Sequence, residues 1–223
     1  MKRLSLFLFS LFVIIATFAK VSFTCPKILE DFKEFEPYVS DNKISESSAR
    51  KMFENHKVSK RGYLEHTYII NSSENFNINN LLDATKEWIR NSTKYGVVIT
   101  EVNRTENFIE AFIDLGMLAG KFAGTKLSFN YTNLTLRINF KESKIKFNIF
   151  ADKYKVLILS DAKPVTRHFY VKDVFPYEIE KDHAALFAKS FIRVNTIGNE
   201  FAYNYLNFLN EEWDGKGIEE DEW

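Results

Sequence analysis

The chain has 223 residues, of which 30 are Lys or Arg and 30 are Asp or Glu, so its formal net charge at pH 7 is zero. Nucleic-acid-binding proteins usually carry a basic patch that neutralises phosphates, but here basic residues are scattered among acidic ones, so we expect no nucleic-acid partner. Cys25 is the single cysteine, and no intramolecular disulfide can form. Stability must therefore come from a core to which 22 Phe and 10 Tyr contribute.

The first 19 residues have the pattern of a secretory signal peptide. Lys2 and Arg3 precede an apolar run, and Thr17 and Ala19 stand where small residues precede a cleavage site. We predict cleavage after Ala19 and export to the periplasm or beyond. Two alternatives place the chain at a membrane: the leader is retained as an anchor, for which it is short, or Cys25 is acylated, for which the preceding residues fit poorly.

Residues 20–61 are predicted to form a helical lead-in to the domain. Ile28, Phe32 and Phe35 recur at helical spacing, and Pro37 ends that helix. Residues 40–60 are rich in Ser and charge, which favours a linker with a second short helix. We place the domain boundary near Gly62 and the domain itself over residues 62–213.

A strand, an amphipathic helix and a hairpin are predicted to open the domain. Apolar and aromatic side chains alternate with period two over residues 64–70, and an apolar stripe at helical spacing follows over residues 78–89, with Asn77 as N-cap. Residues 97–102 and 108–113 flank a polar turn and are typical of a hairpin.

The glycine-rich segment over residues 115–125 contains Gly116, Gly120 and Gly124. We interpret it as a flexible or closely packed connection. Because loops beside a sheet commonly carry binding residues, it is the expected rim of any binding surface.

Further antiparallel strands are predicted over residues 126–171, since only short turns separate the apolar runs. Leu127, Phe129 and Tyr131 lie on one face of the first strand, whereas the apolar residues from Leu134 onward have the opposite parity. This phase slip near Asn133 predicts a β-bulge that turns both apolar sets toward the same core.

The C-terminal part is predicted to be one helix from about residue 183 to residue 213, capped by Asp182 and followed by an acidic tail over residues 214–223. Apolar or small residues recur every three or four positions, at Phe187, Phe191, Val194, Gly198, Phe201, Tyr205 and Phe208. Such a seam is buried, either as core against the sheet or against a partner helix. Because Gly weakens a helix by about 1 kcal/mol relative to Ala, we expect a kink, a break or close packing at Gly198.

The element order resembles a domain-of-unknown-function family of exported bacterial proteins. The resemblance rests on a strand over residues 68–71, an amphipathic helix over 81–89 with Trp88 near its end, a Val-rich strand over 97–102 and Lys-rich antiparallel strands over 129–150. This family is described as having a TATA-box-binding-protein-like (TBP-like) fold, and the resemblance covers about residues 62–160. It implies no catalytic residues, and the fold name does not imply DNA binding, because function belongs to sites rather than folds.

Residues that could carry chemistry are few. Glu180 and His183 form an E-x-x-H pair that could supply two metal ligands, although a dinuclear site needs a second such pair and the sequence has none. The same residue types also serve as cap and dipole partners at a helix N-terminus. His66 is expected to be partly buried and hydrogen-bonded. We therefore assign no catalytic residue, no cofactor and no metal beyond the weak Glu180 and His183 pair.

Together these features predict a single α+β domain. Its antiparallel sheet of about five to seven strands should carry the amphipathic helix and the long C-terminal helix on one face. We expect an exported, non-enzymatic envelope protein that binds a peptide, a protein or an apolar ligand on the open sheet face or in an aromatic groove beside the C-terminal helix. The candidate groove residues are Phe187, Phe191, Phe201 and Tyr205. The alternative is a hydrolase or metal-dependent enzyme whose site is assembled from residues distant in sequence.

Overall fold

The computed structural model describes residues 21–40, 44–91, 95–124, 126–160, 163–176 and 183–215. Its strands are β1 (Phe23–Thr24), β2 (Leu64–Ser72), β3 (Gly96–Asn103), β4 (Phe108–Ala123), β5 (Lys126–Lys141), β6 (Lys144–Ala151), β7 (Lys153–Leu159) and β8 (Val165–Tyr170). Its helices are α1 (Pro26–Phe35), α2 (Glu46–Asn55), α3 (Ile78–Asn91) and α4 (Ala184–Asn207), and α4 continues into a π-helical segment, Phe208–Glu212. The α+β class, with an antiparallel sheet and a long C-terminal helix, is confirmed. The predicted leader, the Asp182 cap and residues 216–223 of the tail lie outside the described residues.

Two strands, β6 and β7, share one edge of β5, which with β4 is one of the two longest strands of the sheet. The strand order is β1-β2-β6-β5-β4-β3, and β7 pairs with both β5 and β8. Strands β6 and β7 follow one another along the same edge of β5, because Thr135 pairs with Phe150 and Tyr131 pairs with Lys155. On β5, three residues lie between Tyr131 and Thr135. On the neighbouring chain, four residues lie between Phe150 and Lys155, so the β6–β7 side has one extra residue around Asp152. This arrangement is a β-bulge.

Strand β4, which pairs with the opposite edge of β5, has a bulge at the same height in the sheet. Asp114 of β4 pairs with Asn133 and Met117 pairs with Tyr131, which leaves an extra residue in β4. Gly116 in that bulge has a φ of 63° and its N–H donates to Asp114 Oδ1 over 2.8 Å. Two sequence predictions are wrong here: the bulge lies in the partners of β5 rather than in β5, and the glycine-rich segment is the end of strand β4 rather than a connection.

Strand β5 keeps one alternation along its whole length because its own chain has no extra residue. Ser128, Asn130 and Thr132 lie on the buried face together with Leu134, so Leu127, Phe129 and Tyr131 point to the opposite face. Two of these buried polar side chains donate hydrogen bonds: Asn130 Nδ2 donates to Ser190 Oγ of α4 over 2.8 Å, and Thr132 Oγ1 donates to the Lys153 carbonyl over 2.6 Å.

Helices α3 and α4 contact one face of the sheet, called the inner face below, and α1 and α2 pack on α4. Ile28, Phe35 and Met52 of the lead-in belong to the same hydrophobic core as the sheet residues. The predicted cap of α3 is present, since Asn80 N–H donates to Asn77 Oδ1 over 3.1 Å. Helix α4 runs unbroken through Gly198, where a Cβ atom would lie 3.0 Å from His66 Cδ2, so close packing explains this glycine. None of the helices described here is long and apolar enough to cross a membrane.

Candidate functional site

The face of the sheet opposite α3 and α4, called the outer face, contains a cavity of about 240 Å³ at the level of the two bulges. This outer cavity is lined by Phe112, Tyr131, Thr132, Asn133, Thr135, Phe150, Asp152, Lys153, Lys155 and His168. Its position follows from the backbone, because extra residues on both sides of β5 bend the sheet. The bulge around Asp152 is held by the Asp152 carbonyl, which accepts from Val171 N–H over 2.9 Å.

The outer cavity combines an aromatic floor with a basic rim. Phe112, Tyr131 and Phe150 supply three aromatic rings, and the ring of Tyr63 stacks on Phe150 with a centroid distance of 5.2 Å. Lys153 and Lys155 are exposed at the rim, whereas Asp152 is the single carboxylate in the lining. Small-molecule sites commonly have this composition, with apolar walls and a few polar groups that orient the ligand.

An apolar strip continues from the outer cavity toward the β4–β5 turn. Tyr131 and Leu127 lie four residues apart on β5, which corresponds to about 13 Å. Along this strip Met117 is 53% exposed and Phe122 is 71% exposed. The other half of the outer face is largely polar, with an Arg137–Glu110 ion pair at 3.3 Å, although Ile69 there is 46% exposed. Exposed apolar side chains are thus concentrated beside the cavity, as at interaction sites.

A buried polar network lies on the inner side, between α1, β2 and α4, and is called the Tyr68 network. Tyr68 donates its hydroxyl proton to Asp31 Oδ2 over 2.7 Å and accepts from Asn199 Nδ2 over 2.9 Å. His66 Nδ1 lies 3.3 Å from the same hydroxyl oxygen. His56 follows α2, and its Nε2 lies 3.2 Å from Glu34 Oε2.

Burial sets the acid–base behaviour of the Tyr68 network. Desolvation, reinforced by the nearby His56, lowers the pKa of His66 to about 3, against a weaker opposing effect of the Asn195 side chain. Desolvation also raises the pKa of Asp31, and the hydrogen bond from Tyr68 partly offsets this shift. Because charged forms are costly where water is excluded, His66 is neutral at pH 7.

The four aromatic residues predicted as a possible binding surface on α4 lie in the core. Phe187, Phe191 and Tyr205 are at most 1% exposed, and Phe201 is 8% exposed. The Tyr205 ring lies 4.9 Å from that of Trp88, and its hydroxyl lies 2.8 Å from Thr85 Oγ1. Core packing against the sheet and α3 accounts for this seam, so a ligand site at these positions stays a prediction that their burial does not support.

The predicted E-x-x-H pair is only partly described. His183 precedes α4, and its ring lies near those of Phe169 and Phe187. Glu180 lies outside the described residues, so a metal site at this pair stays a prediction. His66 is 7% exposed and close to Tyr68, in agreement with the expectation of a buried, hydrogen-bonded histidine.

Sequence reasoning missed both the outer cavity and most of the Tyr68 network. One signal for the cavity was present, because the phase slip near Asn133 marks the level at which the partner strands bulge. Asp31 and His56 belong to a segment interpreted as a lead-in and linker. No local pattern connects them with His66.

Comparison with known proteins gives structural neighbours only. No family model matches the sequence, and no curated protein matches it. In structure the chain is similar to a TBP-like protein from Parabacteroides distasonis, with a TM-score of 0.45 and 13% identity, over 69% of this chain and 96% of that chain. It is also similar to a DUF4468 family protein from Bacteroides ovatus, with a TM-score of 0.45 and 8% identity, over 70% of this chain and 91% of that chain.

Proposed function

We propose that this chain is an exported, non-enzymatic envelope protein whose outer cavity binds a small apolar molecule with an anionic head group. The observation that carries the proposal is an aromatic cavity of about 240 Å³ with Lys153 and Lys155 at its rim. The rings of Phe112, Tyr131 and Phe150 suit an apolar body, and the two ammonium groups suit a carboxylate.

The size and position of the outer cavity support a small ligand with an extended tail. Typical ligand pockets have volumes of about 300–1,000 Å³, so the cavity holds only part of a larger molecule. The exposed strip from Tyr131 to Phe122 offers a further apolar track of about 13 Å along β5. An apolar chain lying there would cover side chains that are otherwise exposed to water.

The composition of the cavity lining favours binding over catalysis. None of the described residues that line it is Ser or Cys, and the Thr132 hydroxyl donates to the Lys153 carbonyl. Asp152 and His168 also line it, but their side chains form no hydrogen bond with each other. The cluster of His and carboxylate groups around Tyr68 is buried on the inner side of the sheet, away from this cavity. These features support a non-enzymatic role for the outer face.

Export rests on the leader pattern of residues 1–19, and the environment of Cys25 supports export without acylation. Cys25 is 5% exposed and directly follows β1, in which Phe23 packs 5.6 Å from the ring of Trp213. Lipoprotein processing would make Cys25 the first residue and remove Phe23 from the core. Native mass spectrometry of the protein from its own host should therefore show the mass expected for cleavage after Ala19. A retained leader or an acylated Cys25 would contradict this part of the proposal.

Calorimetric titration with decanoate tests the ligand chemistry. We expect saturable binding of decanoate and weaker binding of decanol and of decyltrimethylammonium, because neither carries a negative charge that pairs with the ammonium groups of Lys153 and Lys155. The double variant Lys153→Glu/Lys155→Glu should weaken decanoate binding at least tenfold, because the rim then repels the carboxylate.

The matched control is Lys146→Glu, since Lys146 is an exposed lysine on the polar half of the outer face. This variant should bind decanoate as the unmodified chain does. Equal weakening by Lys146→Glu, or equal binding of decanoate and decanol, would refute the assignment of the cavity. A chain that binds none of the three amphiphiles would point instead to a protein partner.

A further inference from the structure

Three side chains with metal-binding atoms converge in the Tyr68 network. Asp31 on α1, His56 after α2 and His66 on β2 each offer one ligand atom, and these atoms all lie within 4.8 Å of one another. Glu34, one helical turn after Asp31, has its Oε2 atom 3.2 Å from His56 Nε2 and is partly exposed. The cluster thus joins three separate elements and reaches solvent through Glu34.

The hydrogen bonds of Tyr68 indicate which nitrogen of His66 has a lone pair available for a metal ion. Tyr68 has a single proton, and it donates that proton to Asp31. A hydrogen on His66 Nδ1, directed at the Tyr68 oxygen, makes this 3.3 Å contact a hydrogen bond as well. The neutral ring then has its lone pair on Nε2, which is buried and has no hydrogen bond of normal geometry, although the Asn195 side chain is near the ring.

An unpartnered imidazole lone pair beside a buried carboxylate is an arrangement that metal sites use. Metal-bound His residues commonly hold their second nitrogen on a hydrogen-bond partner, and ligating carboxylates are themselves hydrogen-bonded. The Tyr68 hydroxyl is the hydrogen-bond partner of both ligand residues, because it contacts His66 Nδ1 and donates to Asp31 Oδ2. The other carboxylate oxygen of Asp31, Oδ1, then remains for a metal.

Only a small local movement would bring the three ligand atoms to the separations found in a zinc site. In a tetrahedral zinc site with bonds of about 2.0–2.1 Å, ligand atoms lie about 3.4 Å apart. One ligand atom from each of the three residues lies within 4.8 Å of the other two, so the widest pair must approach by at most about 1.4 Å. His56 can supply this movement, because it directly follows the last residue of α2 and is only partly buried.

We propose that Asp31, His56 and His66 bind one Zn²⁺ ion, with Glu34 or water as the fourth ligand. Two imidazoles and a carboxylate are a ligand set that suits zinc, and with Glu34 as the fourth ligand the site is closed by protein side chains, as in structural zinc sites. The ion would fix α1 and the end of α2 on β2, which ties residues 26–56 to the sheet. This site is separate from the outer cavity, so either proposal can fail without the other.

Zinc competition against a chromophoric chelator tests the site on the purified, metal-stripped chain at pH 7. We expect one Zn²⁺ per chain, with His56→Gln and Asp31→Asn each weakening binding at least tenfold. Both substitutions are conservative in size, and far-UV circular dichroism with thermal unfolding verifies that each variant folds. His168→Gln is the matched control, because His168 is exposed on β8 and belongs to the outer cavity.

Two further measurements distinguish a specific zinc site from nonspecific binding of zinc to the protein surface. Cobalt(II) should replace zinc and give the intense visible absorption of four-coordinate cobalt, which His56→Gln should remove. Zinc should also slow limited proteolysis within residues 21–61 of the unmodified chain and leave the His56→Gln variant unprotected. The proposal is overturned if no stoichiometric zinc binds, if binding survives both ligand substitutions, or if His168→Gln weakens it equally.

Discussion

Replacing Tyr68 with Phe should destabilise the fold strongly, because a single hydroxyl satisfies several buried polar groups. The variant removes the 2.7 Å hydrogen bond to Asp31 and the 2.9 Å bond from Asn199. A hydrogen bond to a charged group contributes about 1.5–3 kcal/mol, and a buried group left without a partner costs about 1–3 kcal/mol. We therefore expect the free energy of unfolding to fall by about 3 kcal/mol at pH 7.

The destabilisation by Tyr68→Phe should depend on pH with a defined sign. Burial already raises the pKa of Asp31 above its ordinary value, and the Tyr68 hydrogen bond opposes that rise, so the variant raises this pKa further. A carboxyl group with a raised pKa in the folded state favours folding at low pH, and that contribution is lost as pH rises through the folded-state pKa. The difference in stability between variant and unmodified chain should accordingly be smaller at pH 4 than at pH 7.

Urea unfolding followed by tryptophan fluorescence, with a chelator present, measures this difference at both pH values. Tyr170→Phe is the control, because Tyr170 is 58% exposed, and it should change stability by less than about 0.5 kcal/mol. A loss below about 1 kcal/mol for Tyr68→Phe, or a loss as large at pH 4 as at pH 7, would refute this account of the network.

Two further predictions concern the sheet, and denaturant unfolding tests both. Leu134→Ala should cost about 2–5 kcal/mol because Leu134 is 1% exposed, whereas Leu127→Ser should cost less than about 1 kcal/mol; the reverse order would mean that β5 does change phase. Gly116→Ala should cost about 1–2 kcal/mol because its φ of 63° disfavours a Cβ atom, although nothing lies within 4 Å of that atom. Gly96→Ala has ordinary contacts and should be nearly neutral, so equal effects of the two alanine substitutions would contradict the role of the bulge.

Local patterns predicted the elements that have one buried side and one exposed side. Strand β2 shows period-two burial through Leu64, His66, Tyr68 and Ile70, and α3 buries the stripe that its spacing indicates. These predictions succeed because one covered face imposes the helical or strand period directly on the sequence. The same rule failed for residues 127–131, where apolar side chains face outward and polar ones face α4. A sequence shows that two faces differ, but it does not show which face the helices cover.

The bulges and the lead-in depended on partners that no local window contains. Asp114 and Met117 lose register against β5 because extra residues in β4 have no counterpart there, and the glycine at position 116 accommodates the bend. Residues 21–61 looked separate because they are rich in charge, yet Ile28 and Phe35 are at most 1% exposed in the common core. Their burial follows from contacts with α4, which lies far away in the sequence.

The amino-acid sequence alone indicates the α+β class, the order of most strands, the amphipathic α3 and the long C-terminal helix, since each follows from the spacing of apolar residues along a short stretch of chain. The packing of distant segments establishes that the aromatic seam of α4 is core and that the outer face of β5 is apolar over residues 127–131. It also brought Asp31, His56 and His66 within 4.8 Å of one another. The reason is that secondary structure depends on the periodicity of neighbouring residues, whereas a site depends on which distant segments pack together.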